Sequence, residues 1–137
     1  MSDYIIYTDT SKTDHAGTRE RVFVKLIGDK DSTSLLELLR QNGNDFDTGK
    51  SSDFYFMRLP DVGELQKVEV TISQEYIYNG SNDAWLPNRI RVLKLAGNQV
   101  VGRWQAPCGK WIGDSRKPED DEQLIRELQA MAEHVLV

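Results

Sequence analysis

The chain has 137 residues, 39% of them hydrophobic and 28% charged, and carries a formal net charge of −5. That is the size of one domain built round one core. An acidic chain with no basic stripe excludes a plain electrostatic nucleic-acid binder and unassisted adhesion to anionic lipid.

The apolar runs are short and rich in β-branched and aromatic residues, which reads as strands. In chain order they are Tyr4–Thr8, Arg21–Ile27, Ser34–Leu39, Phe54–Leu59, Lys67–Ser73, Arg89–Leu95 and Val100–Gln105. Ser34–Leu39 suits a helical turn as well as a buried strand; its strand neighbours decide for strand. Val68-Glu69-Val70-Thr71-Ile72 and Ile90-Arg91-Val92-Leu93-Lys94-Leu95 alternate as half-buried strands do. The break at Ala96-Gly97-Asn98-Gln99 between two such runs is a hairpin signal. From Pro118 the pattern changes. Acidic residues 119–122 suit the positive end of a helix dipole, and Leu124, Ile125, Leu128, Met131, Ala132 and Val135 recur at helical spacing. The expectation is all-β: an antiparallel two-sheet β-sandwich of about eight strands over residues 1–115. A C-terminal amphipathic helix, residues 116–137, would pack on the sandwich or extend from it.

Three loops between these strands hold the chemistry. They are Thr13-Asp14-His15-Ala16-Gly17-Thr18, Gly43-Asn44-Asp45-Phe46-Asp47-Thr48-Gly49 and Asn82-Asp83-Ala84-Trp85. Each sets oxygen-bearing side chains beside a Gly or Ala with an unobstructed carbonyl. Calcium takes about 6–8 oxygens, more than one helix or strand offers at one point, so three converging loops are what a sandwich needs to hold it. Turn chemistry is the plainer account of Asp45 and Asp47, since Asp and Asn bond their own main chain. Tyr76, Ile77 and Tyr78 read either as partly core or as a tip that enters a membrane at headgroup level. Trp85, Trp104 and Trp111 read as packing residues. Zinc is disfavoured, because the chain has two histidines and the single thiol of Cys108. Catalytic signatures are missing: there is no Gly-x-Ser-x-Gly, phosphate loop or dinucleotide fingerprint, so an enzyme is not expected.

In order along the chain, Ala16-Gly17-Thr18 precedes the apolar run Val22–Gly28. Phe46, Gly49, Asp53 and Tyr55-Phe56 follow, then Asp61-Val62-Gly63-Glu64-Leu65, and then Trp85, Pro87, Ile90, Val92 and Trp111-Ile112. This series resembles the PLAT domain, the β-sandwich of lipoxygenases, pancreatic lipases, polycystins and the clostridial alpha-toxin phospholipase. The alpha-toxin C-terminal domain looks nearest, through Gly43-Asn44-Asp45-Phe46, Thr48-Gly49 and Asp83-Ala84. The resemblance implies calcium bound by His15, Gly17, Gly43, Asn44, Asp45, Asp83 and Ala84, with Tyr78 in a membrane-inserting position beside Tyr76 and Ile77. His15 and Arg19 stand where the family carries aspartates. The reading is a non-catalytic calcium-dependent lipid- or membrane-docking module. The alternative is a protein-interaction module of the same fold with a degenerate calcium site. The partner is then membrane phospholipid or a protein, without nucleic acid. No secretory signal and no apolar run long enough to span a bilayer are visible, which favours a cytoplasmic or peripheral membrane location.

Overall fold

A computed structural model describes the chain apart from Asn42, Tyr76, Asn79, Gly80, Asp83 and residues 114–123 and 134–137, and gives only the backbone of 77, 78, 81 and 82. Eleven strands are present among the described residues: β1 (Ser2–Thr10), β2 (Val22–Gly28), β3 (Leu36–Glu37), β4 (Ser51–Leu59), β5 (Leu65–Ile72), β6 (Ile77–Tyr78), β7 (Ser81–Asn82), β8 (Pro87–Ala96), β9 (Gln99–Pro107), β10 (Ile125–Gln129) and β11 (Met131–Ala132). They form a five-stranded sheet in the order β11-β9-β8-β1-β4, a four-stranded sheet in the order β10-β5-β2-β3, and the small β6-β7 pair. Every pairing is antiparallel.

The alternation seen in the sequence becomes the two faces of each sheet. Tyr4, Ile6, Phe54, Ile90, Val92, Trp104 and Ala106 turn inward from the larger sheet; Val22, Val24, Leu26, Val68, Val70 and Ile72 turn inward from the smaller one. These side chains make one core between the two antiparallel sheets, the sandwich expected. The β8–β9 hairpin turns at Gly97, whose φ of 61° lies in the left-handed region that glycine enters without penalty. At Gly28 a Cβ would stand 2.0 Å from the Val62 carbonyl oxygen, so the backbones meet there only because the side chain is missing.

The expected C-terminal helix is corrected over the described part of its span. Ile125–Gln129 is a strand that pairs with β5, with Leu128 opposite Val68 and Arg126 opposite Val70. Met131 and Ala132 then cross to the other sheet and pair with Gln105 and Trp104. The reason is edge satisfaction. Without β10, the long strand β5 would end its sheet with a row of open N–H and C=O groups. One inward position, Leu128, meets the core, where a helix would have needed a wide apolar stripe. The remaining part of the helix expectation, 116–123 and 134–137, lies outside the described residues.

Candidate functional site

Main-chain hydrogen bonds hold the three loops side by side at one end of the sandwich. The Thr18 N–H donates to the Phe46 carbonyl at 3.2 Å, Gly49 N–H to Ser11 at 2.8 Å, and Leu86 N–H to Ala16 at 2.9 Å. The Gly17 N–H donates to the Thr48 hydroxyl at 3.2 Å. A Cβ on Gly17 would lie 2.8 Å from both the Phe46 oxygen and the Thr48 nitrogen, so glycine is what lets the first two loops close. Beneath them Phe46 packs against Phe54 and Trp85 with ring centroids 5.5 Å apart in each case. Trp85 is fully buried and donates its indole N–H to Thr10 Oγ1 at 2.9 Å, as a packing residue does.

The first two loops border an open depression of about 420 Å³, lined by His15, Gly17, Thr18, Arg19, Asp47 and Thr48. His15 is exposed, with a left-handed backbone (φ 63°). Asn44 and Gly43 are exposed and stand outside the lining, while Ala84 is half-buried on the third loop. Asp45 is buried and turned inward. One of its carboxylate oxygens accepts the Gln41 N–H at 2.6 Å and the other the Ser52 hydroxyl at 3.3 Å. Asp83 and Tyr76 lie outside the described residues, as do the side chains of Ile77 and Tyr78, whose backbone forms β6.

Arg40 is the residue that sequence reading missed. Its guanidinium donates to the Thr18 carbonyl at 2.5 Å and the Arg19 carbonyl at 2.7 Å, and it lies 4.9 Å from the centre of the Phe46 ring. A cation of the chain itself thus binds main-chain oxygens of the first loop. Among the described residues the donor set does not fit a calcium ion. The depression offers one carboxylate, Asp47, beside Arg19 and His15, where calcium wants about 6–8 oxygens and several negative charges. No three His, Cys, Asp or Glu side chains among the described residues gather as a metal-holding group.

The sandwich and its loop end match a known family: the model of the PLAT/LH2 domain covers residues 4–126. The chain belongs to the PLAT/LH2 domain family. An allene oxide synthase-lipoxygenase protein of Plexaura homomalla is 28% identical over 109 residues, 80% of this chain and 10% of its own length. Lipoxygenase homology domain-containing protein 1 of Mus musculus is 29% identical over 113 residues, 82% of this chain and 5% of its own length. The PLAT domain here therefore spans a small fraction of those relatives. Among solved structures, coral 8R-lipoxygenase, described as activated by calcium through a C2-like domain, superposes with a TM-score of 0.71 at 22% identity, over 93% of this chain and 17% of its own. Alpha-toxin of Clostridium perfringens superposes at 0.62 and 20% identity, over 93% of this chain and 30% of its own. At these identities the structures share the fold, and the chemistry has to be argued from this PLAT domain's own residues.

A second polar cluster stands on the outer face of the five-stranded sheet. Asp9 accepts from Arg89 Nε at 2.8 Å, from Arg91 Nε at 2.9 Å and Nη2 at 3.1 Å, and from the Ser51 hydroxyl at 2.6 Å. Burial alone would raise the Asp9 carboxyl, but the hydrogen bonds from Ser51, Arg89 and Arg91 outweigh it and hold it below the usual carboxylate range. Alternation in Arg89-Ile90-Arg91-Val92 places both arginines outward, so the face was legible in sequence, whereas the carboxylate joining them was not. No helix among the described residues is long and apolar enough to cross a membrane.

Proposed function

We propose that this PLAT domain is a non-catalytic docking module of the protein-interaction kind, with a loop end that holds together without calcium. The observation that carries the reading is Arg40. Its guanidinium already supplies positive charge to the Thr18 and Arg19 carbonyls, and Asp45 spends its carboxylate on Gln41 and Ser52. The first-loop carbonyls and the Asp45 carboxylate are thus already engaged by groups of the chain itself. Membrane docking is a second reading, favoured by the likeness to coral 8R-lipoxygenase and to a structure described as a calcium-dependent 11R-lipoxygenase. There His15, Gly17, Gly43, Asn44, Asp45, Asp83 and Ala84 would provide oxygens and nitrogen to calcium, and Tyr76, Ile77 and Tyr78 would meet the lipid. That reading needs Asp83 to add a carboxylate and Asp45 to turn outward.

Co-sedimentation with anionic vesicles separates the two. The acidic domain is repelled by anionic lipid, so the proposal expects no pelleting with or without millimolar calcium. Pelleting that requires calcium and falls in Tyr78→Ala would establish membrane docking instead.

A further inference from the structure

Register across the five-stranded sheet lays out a continuous outer surface. Tyr55, Ile5, Leu93 and Arg103 stand directly opposite one another in one row. Asp53, Tyr7, Arg91 and Gln105 form the adjacent row, which Met131 extends. Tyr55 is 52% exposed, Met57 62% and Met131 50%. Between Arg91 and Arg103 lies a pocket of about 170 Å³, lined also by Tyr7, Leu93, Trp104 and Glu133.

The pocket is polarised. Arg91 is held in place from behind by Asp9 and stacks 4.9 Å from the centre of the Tyr7 ring, leaving Nη1 without a bond among the described residues. Arg103 makes no hydrogen bond or ion pair through its side chain among the described residues. Glu133 closes one side and pairs with neither guanidinium. The Arg91 guanidinium, aimed by Asp9, and the Arg103 guanidinium across the pocket suit a carboxylate carried between apolar side chains. Exposed Tyr and Met with arginine rather than lysine is also the composition of a protein interface.

We propose that the outer face of the five-stranded sheet docks an acidic, apolar-studded segment of a partner protein, with one carboxylate of that segment seated between Arg91 and Arg103. The proposal rests on the protein-interaction reading and names its surface. The segment lies across β1, β8 and β9, its apolar residues on Ile5, Tyr55 and Leu93, while Asp9 keeps Arg91 aimed.

The test is an amide NMR titration of the whole chain with a short blocked peptide carrying glutamate and valine two residues apart, so that both share one face when extended, and with its glutamine counterpart. Saturable shifts confined to Ile5, Arg91, Leu93 and Arg103 with the glutamate peptide, and none with the glutamine peptide, are the expected result. Because Arg103 holds nothing in the fold, Arg103→Gln keeps the melting temperature and weakens binding about tenfold, the loss of one charge-assisted hydrogen bond. No saturable shift with the glutamate peptide overturns the proposal. So does binding that maps elsewhere or survives Arg103→Gln, though that result leaves the protein-interaction reading standing. Calcium-dependent binding to anionic vesicles without any peptide binding overturns both.

Discussion

Asp45 shows how one side chain separates two accounts of the loop end. A buried carboxylate bonded to Gln41 and Ser52 is a structural group, and removing it takes away the charged acceptor of the Gln41 N–H and the Ser52 hydroxyl. Asp45→Ala is expected to lower the unfolding free energy by about 1.5–3 kcal/mol, equally with calcium and with a chelator. Denaturant unfolding in both buffers measures this, and a loss seen only with calcium would make Asp45 a ligand. Much at this scale was legible. Asn and Asp between glycines announced a turn, whereas the close approach at Gly17 was not foreseen, since only the backbone of the second loop demands it. Arg40 was not legible, because the reach of a long side chain depends on which loops tertiary packing brings beneath it. The same holds for Asp9, whose partners Arg89 and Arg91 lie far off in sequence and come within hydrogen-bond reach only through the β1–β8 register.

The C-terminal strand is the element whose character the sequence misled about. Leu124, Ile125, Leu128 and Met131 fit a helical stripe, yet Ile125-Arg126-Glu127-Leu128 fits a strand with one inward leucine equally well. The open edge of β5 decides between them, and that edge is a property of the assembled sheet. The seven strands expected before residue 110 all appear, six of them long; Ser34–Leu39, which only its neighbours decided, is reduced to the two residues of β3. The β10 assignment separates two residues that a helical stripe would treat alike. Leu128, buried to 6% exposure opposite Val68, should cost about 2–5 kcal/mol as Leu128→Ala. Met131, half exposed, should cost within about 0.5 kcal/mol as Met131→Ala. Equal losses in urea unfolding would return the segment to a helix.

For the whole molecule, carboxylates held by cations fix the acid limit of stability. Asp61 is lowered from 3.8 to about 2, first by the hydrogen bond from Lys94 and then by that from the Gly63 N–H. Asp9 is lowered as well. A carboxyl with a depressed folded pKa contributes fully above its unfolded value and loses that contribution as pH falls through the folded one. Stability should therefore hold down to about 3.8 and drain as pH approaches about 2. Melting temperatures across that range should fall less steeply in Asp61→Asn, and an unchanged slope would remove Asp61 from the account. The central claim is that the PLAT sandwich presents a sheet face for a protein partner while Arg40, not calcium, secures its loops. Isothermal calorimetry of the metal-stripped chain with calcium tests it most directly. The account predicts no saturable heat up to the ~10⁻³ M reached by the weakest calcium modules. Saturable heat below that concentration, abolished by Asp45→Ala, would contradict it.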